Sequence, residues 1–89
     1  MNSRADAKFW KRYNALPQEV QELADKCFAL FAADPQHSSL HFKPLNGETW
    51  AARVGAHYRA LAVRDGDAWL WIWIGSHEEY NGIVRQLRR

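Results

Sequence analysis

The sequence predicts an α+β fold in which an N-terminal helical hairpin packs on a small twisted antiparallel sheet, in the order α-α-β-β-β-α. Three observations carry this. Apolar residues recur at helical spacing over the first third of the chain. The period then shortens to two after Asn46-Gly47. Residues 69–75 read Trp-Leu-Trp-Ile-Trp-Ile-Gly, apolar on both faces, as a central strand requires.

Phe9, Trp10, Tyr13 and Leu16 predict a first helix over 5–16. Pro17 fits the first turn of a second, where its missing N–H is harmless. Val20, Leu23, Ala24, Cys27, Leu30 and Phe31 mark one face of that helix over 17–33, and Asp34-Pro35 closes it. Residues 36–49 form a connection with local extended character, pinned to the core by Leu40, Phe42 and Leu45, with a turn at Asn46-Gly47. Strands follow at Trp50–Val54, Tyr58–Arg64 and Ala68–Ile74, the last two joined by the hairpin turn Asp65-Gly66-Asp67. Strict alternation places Trp69, Trp71 and Trp73 on one face and Leu70, Ile72 and Ile74 on the other. Ser76 caps a final helix over 77–88, with Glu78 and Glu79 in its first turn and an apolar stripe of Ile83, Val84 and Leu87; Leu87-Arg88-Arg89 is expected to fray.

Eighty-nine residues make one domain, residues 1–89. The single cysteine, Cys27, excludes an internal disulfide and suits a reducing cytoplasm; on an apolar helical face it reads as a buried, inert thiol. No run approaches the roughly 20 apolar residues of a membrane span, and the N-terminus lacks the apolar centre of a secretion signal. Net charge is +2, but it is unevenly spread. Residues 35–89 carry seven basic and five acidic side chains and all four histidines, so an anionic partner is expected there. His37 and His41 read as loop residues, without a carboxylate or thiol to complete a metal shell. Neither a phosphate-cradling Gly-rich loop nor a zinc spacing is present, and no cofactor or metal is expected.

The chain resembles the RelE/ParE superfamily of bacterial toxins from type II toxin–antitoxin systems. The resemblance rests on the helical hairpin with its Ala15-Leu16-Pro17 turn and on the connector His37-Ser-Ser-Leu-His-Phe-Lys-Pro-Leu45. It continues through Trp50-Ala-Ala-Arg-Val54 and His57-Tyr58-Arg59-Ala60-Leu61 to Ile74-Gly75-Ser76-His77. The Tyr-Arg pair is its most specific piece. Many members add an N-terminal strand, for which only Met1 to Arg4 is available here, so that strand is expected to be short or absent.

The resemblance implies metal-independent cleavage of messenger RNA, often on the ribosome, with a cognate antitoxin that wraps the toxin. It points to Arg53 and Arg59 as phosphate ligands and to His77 and Tyr80 as acid, base or stacking groups, with His57 in reserve. Such chemistry needs a base for the substrate 2′-hydroxyl, an acid for the leaving oxygen and cations for the charge on phosphorus. Two departures stand out. RNA-cleaving members carry a lysine pair on the strand that holds Ala51 and Arg53, and a basic residue where this chain has His77. The same resemblance allows a ParE-like, non-nucleolytic inhibitor of DNA gyrase, or an inactive relative that only binds antitoxin. The apolar face around the tryptophan strand and the groove between the N-terminal helices are the expected antitoxin surfaces.

Overall fold

A computed structural model describes residues 3–87. A short strand β1 (Ser3–Ala5) leads into helices α1 (Ala7–Asn14) and α2 (Gln18–Ala33). A single 3-10 turn (Ser38–Leu40) precedes β2 (Lys43–Asn46), β3 (Thr49–Val54), β4 (Tyr58–Asp65) and β5 (Ala68–Ser76), and α3 (His77–Leu87) closes the chain. The strands form one sheet in the order β1-β5-β4-β3-β2. The three predicted strands and three predicted helices are present, and the β3–β4–β5 meander is antiparallel.

The sheet also has two strands beyond those read from periodicity, one at each edge. β1 runs parallel to β5, pairing Ser3 with Trp69 and Ala5 with Trp71, which makes the sheet mixed. It lies at the expected place; Met1 and Asn2 fall outside the described residues, as do Arg88 and Arg89 of the expected fraying end. β2 emerges from the connection 36–49. Its Pro44 weakens the strand signal but is tolerated at an edge, where no further strand needs its N–H.

Local chemistry sets the helix ends. Asp6 accepts from Phe9 N at 2.8 Å and caps α1, so the helix starts two residues later than its apolar stripe suggests. Pro17 stands just before α2, its carbonyl accepting from Val20 N and Gln21 N at 3.0 Å each. Ser76 and Glu79 form a reciprocal cap at the start of α3: Ser76 Oγ accepts from Glu79 N at 3.1 Å, and Glu79 Oε1 accepts from Ser76 N at 3.0 Å.

The helical hairpin covers the sheet face that carries Trp50, Ala52 and Val54 on β3, Ala60 and Ala62 on β4, and Trp69, Trp71 and Ile74 on β5. Phe31 meets Trp71 edge-on with ring centroids 5.1 Å apart, Phe28 lies 5.1 Å from Trp71, and Phe42 lies 4.9 Å from Trp69. Such pairs add about 0.5–1.5 kcal/mol each beyond the area they bury. Phe28, absent from the predicted face of α2, takes the inward position, while Leu23 and Trp10 remain exposed.

The expected alternation of β5 fails at one point. Leu61 pairs with Trp73 but Ala62 pairs with Trp71, so Ile72 has no partner on β4. This β-bulge reverses the facing of everything after it. Trp69 and Trp71 stay in the core; Trp73 turns to the opposite face and Ile74 takes its inward place, fully buried. There Arg12 stacks its guanidinium 4.9 Å from the Trp73 ring centre. The same side chain donates from Nε to Ile74 O at 2.7 Å and from Nη2 to Glu79 Oε2 at 2.8 Å. One arginine thus binds α1, the β5 edge beyond β1, and the first turn of α3. Gly75 makes room: a methyl there would stand 2.6 Å from Trp73 Cζ2 and 2.9 Å from Arg12 Nη2.

Two predictions follow from this corner. Gly75→Ala is expected to lower stability by about 1–3 kcal/mol through overpacking. Gly82→Ala, where an added Cβ meets nothing within 4 Å, is expected to raise it by about 0.5–1 kcal/mol through helix propensity. Urea unfolding of both variants checks the pair, and equal effects would refute the close approach at Gly75. The second concerns pH. Hydrogen bonds from Ser76 and then Arg12 hold the Glu79 carboxyl below its ordinary value. A lowered folded-state pKa gives stability that is present above the ordinary glutamate value and lost as pH falls through the folded one. The stability gap between the protein and Glu79→Gln should therefore be widest near neutrality and close in acid, read from urea midpoints across pH 3–7.

Candidate functional site

The outward face of the sheet holds the predicted arginines. Arg53 on β3 and Arg59 on β4 are directly opposite in the antiparallel register, so both side chains rise from the same face as neighbours. Arg53 Nε donates to Gly55 O at 3.2 Å, and Arg59 Nη1 donates to Tyr58 O at 2.7 Å and Ala56 O at 3.4 Å. Both guanidinium groups therefore lean on the carbonyls of the β3–β4 turn, which orients them before any ligand arrives. Cys27 supports the same strand, its thiol donating to Arg53 O at 3.5 Å; it is half-buried rather than buried as expected, and desolvation raises its pKa.

Neither arginine has a carboxylate partner; among the described residues the ion pairs are Arg4–Asp65 and Arg12–Glu79. Burial, and then repulsion from Arg53, lower the Arg59 pKa from its ordinary value, with Tyr80 opposing. Two adjacent like charges without a counter-ion favour an anion between them. A guanidinium offers a planar fork of donors that matches phosphate or carboxylate oxygens.

The arginines line a cleft of about 330 Å3 together with Tyr80 from α3, Ala51 from β3, Lys43 from β2 and His41 from the loop before it. His77 does not line it. Its backbone N donates to His57 O at 2.8 Å, and it lines the adjoining hollow with His57, Tyr58 and Glu78. The His77 ring centre lies 6.2 Å from that of Tyr80 with planes 28° apart. The structure thus brings Arg53, Arg59 and Tyr80 into one cleft, and joins His77 to it only through the Tyr80 ring.

Lys43 and His41 are the cleft residues that periodicity missed. Lys43 pairs with Ala51 across the β2–β3 ladder. One signal pointed to it: a hairpin turn at Asn46-Gly47 implies a strand on each side. Leu45, expected to pin the connection to the core, instead lines the cleft beside Lys43. His41 adopts φ +46, a left-handed conformation uncommon for a residue with a side chain. Its neighbours explain it. Leu40 is fully buried and Phe42 packs on Phe31, Trp50 and Trp69, so both flanks are anchored and His41 is turned toward the cleft. Among the described residues no group of three His, Cys, Asp or Glu side chains is placed to hold a metal ion, and no helix is long and apolar enough to cross a membrane.

A second, larger groove of about 630 Å3 runs between α1 and the free upper edge of β5. Its floor is Leu16, Ile72 and Trp73, and its rim carries Lys8, Lys11 and Arg12.

Comparison with solved structures places the fold. The chain superposes on YafQ from E. coli strain BL21(DE3) with TM-score 0.72 at 10% identity, covering 89% of this chain and 96% of that one. It superposes on a chain of the RelB–RelE antitoxin–toxin complex from Methanococcus jannaschii with TM-score 0.71 at 13% identity, over 89% and 95% of the two chains. The isolated E. coli RelE toxin gives TM-score 0.68 at 16% identity, over 96% of each. At these identities the likeness shows the fold alone. A search of curated proteins returned no significant match. The sequence itself matches the model of the ParE-like toxin domain over residues 18–82, which span α2, every strand from β2 to β5 and the first half of α3. On that match this chain belongs to the ParE-like toxin domain family, within the RelE/ParE superfamily of toxins from toxin–antitoxin systems.

Proposed function

We propose that this toxin is a metal-independent endoribonuclease acting on messenger RNA at the ribosome, in the cytoplasm, and that the arginine cleft is its active site. The observation that supports this reading best is the cross-strand pair of Arg53 and Arg59, uncompensated by any carboxylate and turned to the same side as Tyr80. In the reaction the substrate 2′-oxygen attacks phosphorus, its proton passes to a base, and the bond to the 5′-oxygen breaks as an acid supplies a proton there. The product ends are a 2′,3′-cyclic phosphate and a 5′-hydroxyl. Arg59 and Arg53 stabilise the charge that builds on the non-bridging oxygens. Tyr80 borders the phosphate position and stacks on a base or donates a proton, and His77, stacked behind it, completes the acid–base pair.

The test is cleavage of a defined message on translating ribosomes, with and without chelator. Arg59→Ala is expected to reduce the rate by about 10²–10³-fold at unchanged stability, and chelator is expected to have no effect. His77→Ala should cost less than Tyr80→Ala, because only Tyr80 lines the cleft. An intact message combined with DNA-damage signalling on induction would instead support inhibition of gyrase, the alternative that the ParE-like family assignment favours.

An antitoxin is the expected partner, as RelB is of the M. jannaschii RelE. The groove between α1 and β5 suits an acidic, amphipathic antitoxin segment. Its floor is apolar, three cations stand at its rim, and among the described residues the β5 edge beyond Trp71 has no strand beside it. Lys8→Glu/Lys11→Glu is expected to weaken antitoxin binding on the order of tenfold without altering message cleavage, measured by calorimetry on the co-expressed pair. Unchanged affinity would place the antitoxin elsewhere.

A further inference from the structure

Lys43 belongs to none of the roles above, yet it lines the cleft beside the two arginines. Its side chain has no hydrogen-bond or ion-pair partner among the described residues, and it is exposed. Its place relative to the arginines is set by the ladder. Lys43 lies opposite Ala51, and Ala51 opposite Leu61, two residues along from the Arg53–Arg59 pair. With strands ~4.8 Å apart and a rise of ~3.4 Å per residue, Lys43 stands ~8 Å from Arg53 and ~12 Å from Arg59 between Cα atoms. Both guanidinium groups lean away from it, toward the carbonyls of Gly55, Ala56 and Tyr58. Between them Ala51 presents only a methyl group, so nothing on β3 fills the cleft floor or supplies charge at that level. The cleft therefore has two cationic ends: the arginine pair by the β3–β4 turn, and Lys43, beside His41, at the β2 edge.

We infer that the cleft holds two phosphates of one extended single strand, the reacting one at Arg53 and Arg59 and a second at Lys43. This rests on the reading of the cleft as an RNA site and adds to it the ligand class and direction: an oligonucleotide that crosses the sheet from β4 to β2, not a mononucleotide or a free phosphate. An ammonium on a flexible stem suits this second, non-reacting position, where charge is needed but a fixed fork is not.

The experiment measures binding of a fully 2′-O-methylated RNA hexamer, which lacks the attacking hydroxyl, by fluorescence anisotropy across a salt series. A dinucleoside monophosphate, with one phosphodiester, is titrated in parallel by NMR. Lys43→Ala should weaken the hexamer on the order of fivefold and reduce the slope of log K against log salt by about 0.7, the value for one phosphate contact on a single strand. It should leave the dinucleoside monophosphate unchanged, and Lys43→Arg should restore the hexamer. Arg59→Ala should weaken both ligands. Lys8→Ala, the same charge change on the other groove, should alter neither. If Lys43→Ala has no effect on the hexamer while Arg59→Ala weakens it, or if Lys43→Ala weakens both ligands equally, the two-phosphate assignment is overturned and the arginine site stands. If Arg59→Ala also has no effect, the cleft is not an RNA site and both readings fall together.

Discussion

The bulge at Ile72 is the constraint on which the rest of the structure depends. One unpaired residue in β5 lets the first half of the strand give Trp69 and Trp71 to the core and the second half give Ile74. Without it, strict alternation would press Trp73 under the helices and leave Ile74 outside, on a sheet too small to bury three indoles on one side. With it, Trp73 becomes the platform for Arg12, and Arg12 reaches the β5 edge and Glu79 together. The bulge also brings Gly75 opposite Arg59, where the missing side chain leaves room for Trp73 and Arg12. The core and the α1–α3 connection follow from one local irregularity.

The outward face spends stability to remain receptive. Arg53 and Arg59 stand side by side as like charges, partly removed from water, with carbonyl dipoles as their support in place of a counter-ion. A domain selected only for stability would place a carboxylate between them. The charge on the far groove behaves differently. Arg12 there is fully engaged by Trp73, Ile74 O and Glu79, so Lys8 and Lys11 are what the rim offers a partner. Two surfaces of opposite character result, a polar cleft for an anion and an apolar groove with a basic rim. They meet at the first turn of α3, where Glu79 binds Arg12 and the next residue, Tyr80, lines the cleft.

Much of the site was legible. Arg53 and Arg59 flank the turn between two recognisable strands, and antiparallel pairing places residues equidistant from a turn opposite each other. Tyr80 follows from helix geometry once Ser76 is read as the cap. His77 was correctly placed at the strand exit but not relative to the arginines. A residue at a strand-to-helix junction can point to either side, and its backbone bond to His57 O decided which. Lys43 and His41 were read as connection because β2 is four residues long, contains Pro44 and has no alternation of its own. An edge strand of that kind is stabilised by its neighbour, and a neighbour across a ladder leaves no mark on local sequence.

The chain by itself determined the helical hairpin, the three-stranded meander and the capped last helix, because apolar periodicity, Pro17, Asp65-Gly66 and Ser76 act over a few residues. Membership of the toxin superfamily was legible for the same reason: its motifs sit on those elements. Only the tertiary structure decided which face of β5 lies inward, that β1 and β2 complete the sheet, and that Lys43 joins the arginines while His77 stands behind Tyr80. Those outcomes depend on register and packing between segments distant in sequence, where a shift of one residue reverses every side chain and no local propensity opposes it.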